Sequence, residues 1–219
     1  MIQILNDQLD PRYNLALEEF LTREMDPHED YLLLWQNRPM AVVGRYQNTA
    51  EEINQLYVKE HHIMVVRRLS GGGSIYQDLG NLNFSMIVSI EQNAFNDFRS
   101  FTLPIIQALD EFGVKAELSS RNDLTVDGRK FSGNAQYRTG TRLLHHGTLL
   151  FDSDLDVVGQ ALNVRQDKIA SKGIKSVRSR VTNLKPYLPP GTTLQDFSNM
   201  IAKHIGQANG GISAQYRLS

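Results

Sequence analysis

Apolar residues recur along this chain in blocks, and the period changes from helical to alternating and back. Across residues 12–25, Leu17, Phe20 and Leu21 share one side of a helical wheel, which predicts a helix, and Pro11 suits its first turn. The short apolar run at 2–5 predicts an edge strand. Two further runs, 31–35 and 40–43, are separated by Asn37-Arg38-Pro39, which predicts a hairpin. Thr49 is expected to cap a second helix, because Glu51 and Glu52 complement the positive helix start and Ile53, Leu56 and Tyr57 share a face. Strand character returns at 63–66 and at 83–90. A helix over 95–112 follows, carrying Phe98, Ile105, Leu109 and Phe112 at helical spacing, with Pro104 near its first turn or at a kink.

Four more strands are predicted at 115–118, 123–126, 129–138 and 142–151, with Asp127-Gly128 and Thr139-Gly140 as turns. Late helices are expected at 154–162 and 194–205. Between them, residues 165–185 hold four lysines and three arginines without a sustained apolar period, which predicts a basic loop, and the plain alternative is a solvated surface connection. Gly210-Gly211 followed by 212–218 reads as a linker and last strand at a domain edge. No internal repeat interrupts this order. The fold class expected is α+β, with mixed, mostly antiparallel sheets flanked by helices in one domain over 1–219.

Composition narrows the chemistry. At 219 residues, 41% hydrophobic and 21% charged, the chain can bury a substantial core. Its 23 Lys plus Arg against 24 Asp plus Glu give no general attraction for nucleic acid or an anionic membrane, so any anion site must be local. No apolar run approaches the roughly 18 residues of a membrane span, and residues 1–5 lack the basic start of a secretory signal, so the expected location is cytoplasmic. The absence of cysteine excludes disulfides, cysteine-rich zinc sites and thiol nucleophiles.

Residues 67–81 leave one apolar run and enter another through Gly71-Gly72-Gly73. Consecutive glycines let the backbone turn sharply and expose N–H donors to an anion, and Arg67 and Arg68 add permanently charged donors. The segment lacks the GxxxxGK[ST] pattern and the spacing of a dinucleotide fingerprint, and a flexible hairpin would use three glycines equally well. Lys130 sits among small residues in Gly128–Gln136, where an ammonium could face an acyl carbonyl and an α-phosphate together; the alternative is a strand lysine facing water. Asn122 and Asp123 lie just upstream, with Asp123 suited to magnesium or a ribose. His145 and His146 invite a zinc site, but neighbours on a strand face opposite ways and no further ligand pattern accompanies them.

Five segments, RRLSGGGSIYQDLGN, RNDL, GRKFSGNAQYR, HHGTLLFD and KGIKSVRSRVTNL, occur in the order seen in lipoate-protein ligases of the biotin/lipoate ligase superfamily, which this chain resembles from about Asp10 to its final helix. The resemblance implies a two-step reaction: lipoate and ATP give lipoyl-adenylate, and a lysine of an acceptor domain then takes the acyl group as an amide. It implies Lys130 as the catalytic lysine. It places Arg68, Ser70, Gly71, Gly72, Gly73, Ser74, Ile75, Asn81, Asn122, Asp123, His146, Thr148, Lys172 and Arg180 around ATP or the adenylate, with Asp123 a candidate magnesium ligand. Leu17, Trp35, Gly44, Arg45, Gly133 and Ala135, with Arg68, Ser70 and Gly72, are the residues it assigns to the lipoyl chain. Gln77 stands where some relatives carry histidine.

The partners implied are lipoyl domains of 2-oxoacid dehydrogenase acyltransferase subunits and the glycine-cleavage H protein. Many such ligases continue through a further domain, so an accessory domain is expected to be absent here or to reside on another chain. The superfamily's octanoyl transferases pass the acyl group through a cysteine thioester, a route closed to a chain without cysteine. Biotin ligases use a glycine-arginine repeat that residues 67–73 do not spell.

Overall fold

The computed structural model describes residues 1–90, 95–119, 122–163 and 180–217. Eleven strands among them are β1 (Ile2–Leu5), β2 (Tyr31–Trp35), β3 (Met40–Val43), β4 (Met64–Arg67), β5 (Ile75–Gln77), β6 (Asn81–Ser89), β7 (Ala116–Ser119), β8 (Asp123–Val126), β9 (Arg129–Thr139), β10 (Arg142–Leu150) and β11 (Ala214–Arg217). The helices are α1 (Pro11–Arg23), α2 (Thr49–Glu52), α3 (Gln55–Glu60), α4 (Phe98–Glu111), α5 (Leu155–Ala161) and α6 (Leu194–Ala208). The large sheet runs β11-β1-β2-β6-β10-β9-β8-β7, and the small one β4-β3-β5. Pairing is antiparallel except at β11-β1, β1-β2 and β3-β4, as expected of an α+β fold.

Strand β6 sits in the middle of the large sheet and is buried at every position but the last, because helices cover both faces. Side-chain alternation sorts its two faces. Leu82, Phe84 and Met86 join Ile105 and Leu109 of α4 and Phe197, Ile201 and Ile205 of α6 in one core. On the opposite face Ile87 and, from the neighbouring strands, Tyr31, Leu33, Trp35 and Leu144 pack on Leu17 and Leu21 of α1. The small sheet has its own cluster of Ala41, Val43, Tyr76, Ile53, Val58 and Ala161.

Several expectations are corrected. Strand β1 is not an edge, since β11 covers it in parallel register. Strands β2 and β3 form no hairpin: they belong to different sheets, and the connection buries Asn37 while leaving Arg38 and Pro39 exposed. The helix expected from Thr49 is two helices. Asn48 rather than Thr49 caps the first. Ile53 then turns extended to bury its side chain, and Asn54 restarts the helix by accepting from the Tyr57 N–H. Pro104 lies inside α4, buried, with Asp97 capping the start.

Candidate active site

The pocket of interest lies where the small sheet meets the α1 face of the large one. Its wall draws on Leu15 of α1, Trp35, Val42, Ile75 and Gln77, on Asn83, on Lys130 and Gly133–Ala135 of β9, on His146–Thr148 of β10, and on Arg68, Gly72–Ser74 and Asn122. The wall combines apolar side chains with charged and amide groups, which suits a ligand with a hydrocarbon body and an anionic head.

The glycine turn is held by its flanks. Arg68 N–H donates to the Val43 carbonyl at 3.1 Å and Arg45 N–H to the Ser70 carbonyl at 2.9 Å, while the Arg67 guanidinium reaches the carbonyls of Gly44 at 2.8 Å and Gln47 at 2.9 Å. Gly72 has φ +96°, and a Cβ on Gly44 would fall 2.1 Å from the Gly72 oxygen, so glycine is needed at both positions for conformation or space. Arg68, 8% exposed, donates through Nε to Ser70 Oγ at 3.0 Å and through Nη2 to the carbonyls of Gly71 at 2.7 Å and Gly73 at 2.8 Å. Its Nη1 alone has no partner. Burial lowers its pKa to about 10, opposed by the field of Glu18, so it remains a cation at neutral pH.

Lys130 enters from β9. Its Nζ lies 2.7 Å from Asp123 Oδ1, and it crosses over Gly133, where a Cβ would stand 3.0 Å from that nitrogen. Its backbone is fixed on both sides of the peptide, Lys130 N–H donating to the Arg180 carbonyl at 2.7 Å and Thr182 N–H to the Lys130 carbonyl at 2.9 Å. A buried amide chain backs the opposite wall: Asn6 Nδ2 donates to Asn14 Oδ1 at 2.7 Å, Asn14 Nδ2 to Asn37 Oδ1 at 2.9 Å, and Asn37 Nδ2 to Gln77 Oε1 at 2.7 Å. Asp123 is a lone carboxylate, and among the described residues no three His, Cys, Asp or Glu side chains come together as a metal site. A single carboxylate fits magnesium bound chiefly by phosphate oxygens and waters, not a protein-only cage.

Set beside known proteins, the sequence matches the family described as "Lipoyl protein ligase A/B catalytic domain" over residues 10–206. The chain belongs to that family. Among curated relatives of this lipoyl ligase family, it is 53% identical over 211 residues to "Lipoate-protein ligase LplJ" of Bacillus subtilis, covering 96% of this chain and 64% of the relative. It is 49% identical over 200 residues to "Lipoate--protein ligase 1" of Staphylococcus aureus, covering 91% and 61%. The chain thus spans a little under two thirds of the length of these relatives. A solved structure from a study of an archaeal lipoylation system, "a bi-partite lipoate protein ligase and its E2 lipoyl domain from Thermoplasma acidophilum", superimposes with a TM-score of 0.89 at 25% identity, over 100% of this chain and 86% of that one.

Of the residues expected to form the family site, Trp35, Arg68, Gly72, Gly73, Ser74, Ile75, Asn122, Lys130, Gly133, Ala135, His146 and Thr148 meet in this pocket. Others stand behind it. Leu17 is buried in the core under α1, and Leu15 takes the wall position, because residues two apart on a helix point to nearly opposite sides. Gly44 backs the glycine turn, and exposed Arg45 lies over the rings of Tyr46 and Tyr137 at 5.5 Å. Gly71 contributes a carbonyl to Arg68, Asn81 is buried and donates to Asn83 Oδ1 at 3.0 Å, and Asp123 meets Lys130. Arg180 supplies its carbonyl to the Lys130 peptide. Lys172 lies outside the described residues. His145 and His146 do face opposite ways: His145 is stacked on Phe101 with ring centroids 4.6 Å apart, and His146 lines the pocket.

Two buried residues under the pocket, Glu18 and Ser85, were not anticipated. Glu18 carries a readable signal. Asn14, Leu17, Glu18, Leu21 and Thr22 form the buried stripe of α1, so a carboxylate falls at an i, i+4 position of the apolar face. A charged residue there is a functional pointer, whereas Glu19 next to it faces solvent and pairs with Arg23 at 2.7 Å.

Proposed function

We propose that this chain catalyses ATP-dependent lipoylation: it activates lipoate as lipoyl-AMP and passes the lipoyl group to a lysine of an acceptor lipoyl domain. The observation that carries the reading is the ammonium of Lys130 placed at one pocket with the Arg68 guanidinium and the glycine turn, beside an apolar wall of Leu15, Trp35, Val42 and Ile75. In the first step a carboxylate oxygen of lipoate attacks the α-phosphorus of ATP, the bond to the β-phosphate oxygen breaks, and pyrophosphate leaves. In the second the acceptor amine attacks the acyl carbon, the bond to AMP breaks, and the amine gives up a proton.

Lys130 serves both steps as a fixed positive charge. Asp123 occupies one of its N–H donors, leaving two for the acyl carbonyl oxygen and an α-phosphate oxygen, where negative charge grows in the transition states. Arg68 neutralises the same region, and the glycine N–H groups add neutral donors. Magnesium, held by the phosphates of ATP with Asp123 beside it, would supply further charge neutralisation. The acceptors proposed are lipoyl domains of 2-oxoacid dehydrogenase acyltransferase subunits and the glycine-cleavage H protein, encountered in the cytoplasm. No described helix is long and apolar enough to cross a membrane.

The test supplies lipoate, ATP and magnesium, with and without a lipoyl domain and with and without a separate accessory domain, and follows pyrophosphate and the mass of the acceptor. Lipoate-dependent pyrophosphate and a lipoylated acceptor are expected, with octanoate and biotin as competitors that rank acyl preference. No product in any arm, or equal inhibition by biotin, would overturn the assignment.

A further inference from the structure

Two chains of hydrogen bonds converge on one buried carboxylate beneath the pocket. Glu18, 1% exposed, brings Oε1 within 2.8 Å of His146 Nδ1 and 2.6 Å of Ser85 Oγ. Trp35 Nε1 lies 3.0 Å from Ser85 Oγ, His146 Nε2 2.6 Å from Ser70 Oγ, and Arg68 Nε 3.0 Å from Ser70 Oγ. With Glu18 ionised and the His146 ring neutral, donor chemistry sets the directions. An indole N–H and a guanidinium N–H can only donate and a carboxylate can only accept. Ser85 therefore accepts from Trp35 and gives its proton to Glu18. The His146 nitrogen facing the carboxylate, Nδ1, must carry the ring proton, so Nε2 accepts from Ser70, whose oxygen accepts from Arg68. Both arms end at the pocket wall, one at the apolar Trp35 and the other at the charged Arg68.

Ser70, His146 and Glu18 reproduce the distances of a hydrolytic triad, but the serine is not placed to attack. Ser70 is 1% exposed, it is absent from the pocket wall, and its oxygen already holds the Arg68 Nε–H. A nucleophile needs an open approach to the acyl carbon.

We propose that Glu18 is a positioning residue that sets both subsites at once: through His146 and Ser70 it orients Arg68 toward the reacting phosphate and carboxylate, and through Ser85 it orients Trp35 against the acyl chain. The proposal rests on the ligase reading for its kinetic consequences but not for the tautomer it assigns. Ser85→Ala cuts one arm and is expected to raise KM for lipoate about fivefold, with kcat for pyrophosphate formation within about twofold of the parent, the scale of one lost neutral hydrogen bond. Ser70→Ala cuts the other and is expected to lower kcat about tenfold or more, since it frees a donor on a charged group. Glu18→Ala should do both, and Glu18→Gln, which keeps an acceptor oxygen, should recover most of each loss.

The deciding experiment combines these kinetics with ¹⁵N NMR of the His146 ring. The parent chain should show the Nδ1–H tautomer and Glu18→Ala should lose it. In the Ser70→Ala background, Glu18→Ala should add no more than about twofold to the kcat loss while still raising the lipoate KM, the signature of residues acting through one another. An unchanged tautomer in Glu18→Ala, kcat losses that multiply, or labelling of Ser70 by a fluorophosphonate would each overturn the proposal. If Glu18→Ala does not fold, Glu18→Leu, which keeps the bulk of the side chain but accepts no hydrogen bond, takes its place in the same comparison. A parent chain that makes no pyrophosphate with or without the accessory domain would defeat the ligase reading instead, and the ring spectrum would still decide the tautomer.

Discussion

His145 makes acid stability a measurable property of this core. The ring is fully buried, stacked on Phe101, edge-on to Phe98 and 5.9 Å from Phe84. Its Nδ1 meets Gln136 Nε2 at 3.0 Å and its Nε2 has no partner. Burial, helped by neighbouring His146, pushes its pKa down to about 3 from an ordinary 6.5. The folded protein therefore keeps this imidazole neutral in a range where the unfolded chain protonates it. Stability from this group is complete above pH 6.5 and is lost as pH falls toward 3, because there the unfolded state binds one more proton. The slope approaches about 1.4 kcal/mol per pH unit below pH 5.5 and is half that at 6.5, so going from pH 6.5 to 4.5 should cost roughly 2 kcal/mol from His145 alone. The perturbation that isolates it is His145→Phe, an aromatic that cannot titrate. Urea unfolding of parent and variant across pH 7 to 4.5 gives the difference, in which the carboxylates and exposed histidines cancel. Parallel stability curves, or a His145 pKa near 6.5 by NMR, would refute the assignment.

Lys130→Ala should lower lipoate-dependent pyrophosphate release about 100-fold or more, the usual effect of removing a transition-state donor, with the melting temperature nearly unchanged since the side chain is only partly buried. Gly44→Ala places a methyl 2.1 Å from the Gly72 oxygen, an overlap that no rotamer relieves. A loss of about 1–3 kcal/mol in urea unfolding is expected, with reduced activity from the displaced turn. Thr193→Ala removes the side-chain acceptor half of the capping box at the start of α6 and leaves the backbone N–H of residue 193 on the Asp196 carboxylate; it should cost about 1 kcal/mol in the same assay, leaving KM values untouched.

Periodicity located the elements well where one face of each met the core. Strand β8 has the bounds expected of it, and α1, β9 and β10 differ by a residue or two, because Gly-containing turns and a polar cap mark their ends. Errors came where tertiary contacts overrode local pattern. Ile53 breaks a helical run because its side chain is drawn into the small-sheet cluster. Asn37-Arg38-Pro39 has the composition of a surface turn, yet Asn37 is buried because Asn14 and Gln77 satisfy its amide. For the pocket, motif order brought together the glycine turn, Lys130 and His146, which are distant in sequence. Motif order does not tell lining from support: Ser70 and Gly44 hold the wall from behind, and Leu15 lines the pocket while Leu17 packs in the core.

The buried amide chain from Asn6 to Gln77 has a polarity. Each amide spends its N–H on the next carbonyl, so at Gln77 the Oε1 is already taken by Asn37 and the Nε2 hydrogens are what this side chain can offer a ligand. A histidine substituted at position 77 would accept the Asn37 proton on one ring nitrogen and present an N–H from the other. Glutamine and histidine thus look alike to whatever occupies the pocket, and exchanging one for the other does not reverse the hydrogen bond offered there. A glutamate at the same position would accept from Asn37 and offer a second acceptor, setting a negative charge against the anionic head that Arg68 and Lys130 are arranged to receive.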